Sequence, residues 1–245
     1  MTTDNQIQLT VNTIDAFKTL YAIDQSLRVN HEDVTEDGKT ILRSKSFNKT
    51  TCGKIVIDQV FPRDMYIYDL NQFISVLGIV EKPTIDMSND NYVVVKSTDG
   101  KQKLRYFEAN PVMIESYAER DPVLPNEDIE VVVTEAQLKQ VLTAASTLKL
   151  DFVGFQGDGN GVYFTAFNKN EGGDENETNN FRVEIAETDK TFNMFYKLGT
   201  QNIQIMTGKG DIMFTIAGDN KISKAETSTG EVFWFTFNAS SEWES

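Results

Sequence analysis

Two stretches of this chain, 121 residues apart, carry the same order of side-chain types. Thr13 returns as Thr134, Phe17 as Leu138, Lys18 as Lys139, Leu20-Tyr21 as Val141-Leu142, and Leu27-Arg28 as Leu148-Lys149. In both, apolar positions recur at i, i+3 and i+4, the spacing of one helix face. Thr134 followed by Gln137 fits a capping box, in which two side chains satisfy free N–H groups of the first turn. Each helix then runs into a short extended segment. A second pair follows. Ile67-Tyr-Asp-Leu70 opens a helical stretch through Phe73, Val76, Leu77 and Val80. Phe195-Tyr-Lys-Leu198 opens a weaker one with Ile203 and Ile205, at an offset of 128. The polar run 168–179 lies between and holds the extra residues; it lacks the apolar atoms to pack and is expected to be a solvated loop. A duplication on this scale constrains the fold to two similar halves.

The joint falls at Arg120-Asp-Pro-Val-Leu-Pro-Asn-Glu-Asp128, which reads as an exposed connector because of its prolines and acids. The expected domains are residues 1–120 and 129–245, with 121–128 between them. Charge is uneven across the joint. Residues 1–120 hold 14 basic and 17 acidic residues, a net of −3; residues 121–245 hold 9 and 20, a net of −11.

The remainder is strand-like. Segments 40–46, 53–61, 92–98 and 102–109 in the first half are rich in β-branched and aromatic residues, as are 151–156, 161–168, 180–188, 210–218, 221–227 and 232–239 in the second. Asp158-Gly and Asn160-Gly mark a hairpin turn, since these pairs tolerate positive φ. The reading is an α+β chain, each half with two helices covering one face of antiparallel strands.

Few groups are available for catalysis. The chain has one cysteine, Cys52, and one histidine, His31. That excludes a disulfide framework, a Cys/His zinc site and any Ser-His or Cys-His chemistry not built on His31. His31 lies in a charged loop and reads as solvated; Cys52 reads as a small buried hydrophobe. Gly157-Asp-Gly-Asn-Gly161 and Gly208-Lys-Gly-Asp211 fail the P-loop and calcium-loop patterns and read as turns. The acidic clusters Glu32–Asp37, Glu127–Glu130 and Glu171–Glu177 sit in hydrophilic loops, where no burial separates their pKa values. No cofactor and no metal is implied. No apolar run reaches the roughly 20 residues of a membrane helix, and the N-terminus lacks the regions of a signal peptide. A soluble protein of a reducing compartment is expected. A net charge of −14 argues against DNA binding driven by overall charge. The helix faces are different: Lys18, Lys139, Gln140, Thr143, Ser146, Asn71, Gln72 and Ser75 point away from the apolar stripes and leave them neutral to slightly basic.

The stretch Ile67-Tyr-Asp-Leu-Asn-Gln-Phe-Ile-Ser-Val-Leu-Gly-Ile-Val80, with Leu138-Lys-Gln-Val-Leu142, Leu148-Lys-Leu-Asp151 and Phe167-Asn-Lys169, resembles the DNA polymerase sliding clamps of T-even-type bacteriophages. The resemblance runs from about residue 9 to 240. It implies a DNA-clamp fold of two similar domains, three subunits closed into a pseudo-sixfold ring, helices lining the hole and sheets outside. It implies no enzyme activity. It implies a homotrimer that encircles duplex DNA without reading sequence, an ATP-dependent clamp loader, a viral DNA polymerase docked through its C-terminal peptide, a role in late viral transcription, and work in the cytoplasm of an infected bacterium. On that reading the DNA-facing candidates are Lys18, Lys139 and Lys149, then Lys197, Lys209 and Arg28. The partner-docking candidates are Val123 and Leu124 of the connector, and Trp243 is either a contact or a tail. A ring holds DNA by topology, so a few lysines inside an acidic exterior suffice. Two other readings stand beside it: a β-rich assembly protein of a virus particle, which does not need the duplicated helices, and an enzyme with an acidic site, which the scarcity of His and Cys disfavours.

Overall fold

The computed structural model describes residues 5–169 and 179–244. The chain divides into two compact units, Met1–Asp121 and Pro122–Ser245.

The first unit begins with strand β1 (Gln6–Gln8) and helix α1 (Val11–Tyr21), and continues through β2 (Leu27–Val29), β3 (Thr40–Lys45), β4 (Thr51–Ile57) and β5 (Met65–Ile67). Helix α2 (Leu70–Ile79), β6 (Thr84–Asp86), β7 (Tyr92–Lys96), β8 (Lys103–Phe107) and a short 3-10 turn at Pro111–Met113 complete it. All strand pairs here are antiparallel: β1-β6-β7-β8 form one sheet in that order, β2 pairs with β5, and β3 with β4. Both helices begin on a side-chain cap. Thr10 accepts from the Thr13 N–H, and Asp69 from the Gln72 N–H at 2.8 Å. Each cap satisfies an N–H that the helix leaves free. Helices α1 and α2 meet through Phe17 and Phe73, edge to face at 6.0 Å, and Phe73 continues onto Tyr106 of β8 at 4.9 Å. The buried face of α1 is Thr13, Ala16, Phe17 and Leu20, not Ile14 and Tyr21 as the spacing suggests; Tyr21 is exposed. The helix is rotated because the Thr13 hydroxyl is already bonded to Thr10 and enters the core without loss.

The second unit holds β9 (Ile129–Val133), helix α3 (Glu135–Leu148), β10 (Phe152–Asp158), β11 (Gly161–Phe167), β12 (Asn180–Glu187) and β13 (Thr191–Lys197). A 3-10 turn at Ile203–Met206 leads to β14 (Ile212–Ala217), β15 (Ile222–Thr227), β16 (Val232–Thr236) and β17 (Glu242–Trp243). One antiparallel sheet runs β12-β11-β10-β13-β17; β9, β14, β15 and β16 pair in that order. Helix α3 packs on β10, β11 and β12 through Leu138, Val141 and Ala145. Its capping box is complete: the Thr134 N–H donates to Gln137 Oε1 at 2.9 Å, and the Gln137 N–H to Thr134 Oγ1 at 3.2 Å. Such a cap contributes about 1 kcal/mol. The core is aromatic. Phe155 of β10 meets Phe164 at 5.1 Å and Phe214 of β14 at 4.9 Å, so the two sheets close on each other. Gly154 is required where β10 crosses β13, since a Cβ there would lie 2.2 Å from the Met194 carbonyl oxygen.

Among the described residues the second unit has no second α-helix. Phe195-Tyr-Lys197 ends strand β13, and only the four-residue turn Ile203–Met206 follows. Gly199 and Gly208 hold positive φ on either side, and no side chain caps the turn. A short helix bounded in this way has no start and no room to extend. Glu130, expected in an acidic loop, is in β9, and the loop expected over 168–179 lies largely outside the described residues, with the cluster Glu171–Glu177. The hairpin at Gly159-Asn160 is a two-residue turn with Gly159 at φ 81°.

Candidate nucleic-acid and partner surfaces

The exposed faces of the helices carry few charges. On α1 the outward residues include Asp15 and Lys18, bonded at 2.9 Å and both more than half exposed. On α2 they are Asn71, Gln72 and Ser75. On α3 they are Lys139, Gln140, Thr143 and Ser146, with Lys139 paired to Glu135 one turn back. Exposed pairs of this kind contribute little, so the ammonium groups remain exchangeable toward a phosphate.

Lys149 caps the C-terminal end of α3 in the left-handed conformation (φ 55°), its N–H donating to the Ala145 carbonyl, and its side chain is exposed. The fold brings Lys197 to the same end of the unit: Phe152 pairs with Lys197, and the Leu198 N–H donates to the Asp151 carbonyl at 2.8 Å. Asn168 ties the end of β11 there too, donating to the Lys149 carbonyl and accepting from the Asp151 N–H. Lys169, a residue the sequence reading did not single out as a contact, lies over the Phe195 ring at 4.2 Å. Lys149, Lys169 and Lys197 thus share one end of the second unit.

Arg28 and Lys209 are placed differently. The Arg28 guanidinium donates to Asp64 at 2.8 Å and stacks on Tyr117. Burial pushes the Asp64 carboxyl up, but bonds from His31, Tyr66 and Arg28 outweigh it and hold it well below the usual carboxylate range. His31 is therefore no free loop histidine; its Nδ1 lies 2.7 Å from Asp64. Lys209 donates to Glu231 at 2.6 Å, with both side chains largely buried, and Thr227 and Thr229 donate to the same carboxylate. These two cations are committed to the fold and are poorly placed to exchange for DNA.

Val123 is 82% exposed and Leu124 is half-buried. A groove of ≈ 670 Å³ lies in the first unit, between the β3–β4 turn, the entry to α2 and the 3-10 turn at Pro111–Met113. Phe47, Tyr68, Val112 and Met113 bring their apolar surfaces to it, and Lys45 and Lys49 face Asp24 and Glu115 around it. Phe47 and Val112 are 87% and 85% exposed, a large apolar surface left to solvent. Cys52 is no reactive group: burial, helped by the Asp121 carboxylate, pushes its thiol up to about 11. Trp243 is not a free tail residue. It packs on Phe192 at 5.1 Å and fills the space above Gly218, where a Cβ would meet its ring.

Residues 35–114 match the family model for DNA polymerase processivity factors. The chain is 24% identical over 209 residues to the sliding clamp of Escherichia phage RB69, covering 82% of this chain and 86% of that one. It is 25% identical over 199 residues to the sliding clamp of Vibrio phage KVP40, covering 80% and 86%. The chain is similar to these sliding clamps over most of its length. Its fold agrees with that of A. fulgidus PCNA, solved with the C-terminal region of FEN-1 bound: the TM-score is 0.68 at 11% identity, covering 97% of this chain and 99% of that one. The α+β architecture is the DNA-clamp fold. Among the described residues no group of three or more His, Cys, Asp or Glu side chains gathers to hold a metal. No helix is long and apolar enough to cross a membrane. The sequence reading missed the groove. Phe47, Tyr68 and Met113 are far apart along the chain, and only the fold assembles them.

Proposed function

We propose that three copies of this chain close into a ring around duplex DNA, each unit acting as one clamp domain and residues 121–128 as the connector, and that the ring tethers the viral replicative polymerase. The observation that carries this reading is a pair of open strand edges. In the first unit β8 ends its sheet; in the second β12 does. Open edges invite strand addition from another copy, and a closed ring removes them. The exposed lysines of α1 and α3, Lys18, Lys139 and Lys149, with Lys197 at the end of α3, supply weak phosphate contacts, which suit sliding because each contributes only about one unit of salt slope. An ATP-dependent loader to open the ring, a role in late transcription and a location in the cytoplasm of the infected bacterium belong to the same proposal.

The test is light scattering over a dilution series, followed by retention on circular and linear DNA. The expected mass is three times the 27.7 kDa chain. The protein should stay on a closed circle and run off a linear end. A monomer that persists at high concentration sinks the ring.

The groove at Phe47 is the proposed seat of the polymerase peptide, since it offers exposed apolar surface to an apolar anchor, with Lys45 and Lys49 balanced by Asp24 and Glu115 at its rim. The double variant Phe47→Ala/Met113→Ala should lower polymerase stimulation at least tenfold while the trimer mass stays unchanged, the loss of two anchors of about 1 kcal/mol or more each. Val123→Ala/Leu124→Ala should have a smaller effect. The reverse ranking would move the docking site to the connector.

A further inference from the structure

The outward face of the β1-β6-β7-β8 sheet gathers three cations in an acidic chain. Strand alternation places Lys96, Lys103, Arg105, Tyr92 and Phe107 on one side, opposite the buried Val93, Val95 and Tyr106. Lys96 stands directly across from Lys103, and Arg105 is two pairs further along, across from Val94. Opposed like charges on neighbouring strands disfavour the sheet unless an anion lies between them. Among the described residues of these four strands the one carboxylate, Asp86, bonds Lys96 at 3.3 Å and is shared with Gln6 and Ser88. Among the described residues Lys103 and Arg105 have no carboxylate within ion-pair distance. Arg105 lies flat over Tyr92 at 4.4 Å. A shallow cavity of ≈ 500 Å³ opens among these side chains, lined by Asp86, Val94, Lys96, Lys103, Leu104 and Arg105. Beside it the Phe107 ring is 66% exposed, packed edge to face on Tyr92 at 5.6 Å.

Resting on the clamp reading above, we infer that this face, on the side of the sheet away from α2, is a second nucleic-acid site that takes single-stranded DNA. The cations bind backbone phosphates, and Phe107 offers its open face to an unpaired base. The combination decides the class of ligand. An acidic peptide uses the cations but has no need of the bare ring, and a duplex keeps its bases stacked inside. A single strand uses both, since every base has a face to stack and the contact does not depend on sequence. Side chains stand perpendicular to the sheet, whereas edge pairing runs in its plane. Addition of another strand to β8 therefore leaves these groups upright.

The experiment uses the full chain and a fluorescein-labelled 15-mer of thymidylate, followed by anisotropy across a salt series. The wild type should bind at low salt. The charge reversal Lys103→Glu/Arg105→Glu should weaken binding at least tenfold and flatten the salt slope by about 1.4, two single-strand phosphate contacts of about 0.7 each. Phe107→Ala should weaken it on the order of tenfold with the slope unchanged. Lys224→Glu, on β15 of the second unit, should leave it intact. Four results overturn the inference: no binding by the wild type, equal binding by the Lys103/Arg105 variant, polyglutamate bound as tightly as the oligonucleotide with no loss in Phe107→Ala, or a Lys103/Arg105 variant changed only in trimer mass. The last would assign the patch to a second copy of this chain.

Discussion

Replacing Phe73 with alanine should lower the unfolding free energy by about 3–5 kcal/mol, read as a shift in the urea midpoint at unchanged slope. Phe73 is fully buried. It joins α2 to α1 through Phe17 and to the β1-β6-β7-β8 sheet through Tyr106. Alanine removes the ring and leaves its volume, because α1 is fixed by the Thr10 cap and α2 by Asp69, so neither helix collapses easily into the gap. A loss of this size is a large part of the 5–15 kcal/mol that ordinary domains possess. A cost below about 1 kcal/mol would mean that the two helices repack freely and that the aromatic bridge does not hold them.

The second large effect is expected at Arg43. Its guanidinium bonds Asp33 and donates to Asp121 at 2.9 Å; Lys54 donates to the other oxygen of Asp121 at 2.7 Å, and Tyr117 to Asp33. Arg43 is only 11% exposed and Asp33 15%. Arg43→Met keeps the aliphatic stem and leaves two partly desolvated carboxylates short of a cation, at about 3 kcal/mol at neutral pH. The effect depends on pH in a definite direction. Burial pushes the Asp121 carboxyl up, but bonds from Lys54 and Arg43 more than offset it, so its folded pKa lies below the ordinary value. A group depressed in this way stabilises the fold above its unfolded pKa, and the contribution is lost as pH falls through the folded value. The gap between wild type and variant should therefore be full at pH 7 and narrow below about pH 4. A gap that widens in acid would contradict the assignment of the pair.

Local pattern reached some elements and not others, for physical reasons. The Thr134–Gln137 capping box is written within four residues, and it forms as expected. The hairpin at Gly159-Asn160 needs only its own dipeptide chemistry. The failures lie where distant residues decide. Phe195-Tyr-Lys197 has an apolar pattern that fits a helix start, but β10 and β17 pair with its strand on both sides. The short strands β1, β5 and β6 carry only three residues each, too few for any period to show. Among the charged candidates, Lys18 and Lys139 remain on open helix faces because helical spacing alone puts them there. Arg28 meets Asp64 only because β2 pairs with β5, and Lys209 meets Glu231 only because the β15–β16 hairpin returns beside it. A lysine's partner 22 residues downstream leaves no mark on the lysine's own surroundings in the sequence.

The chain's two tryptophans, Trp234 and Trp243, both belong to the second unit, the first buried in β16 and the second laid across Phe192 and Gly218. Intrinsic emission excited at the red edge therefore reports one half of the molecule and is blind to the other. The Phe73 and Arg43 variants, whose damage begins in the tryptophan-free half, have to be followed by far-ultraviolet dichroism or tyrosine signal. Any lag between that signal and the tryptophan emission measures, without a label, how independently the two halves come apart.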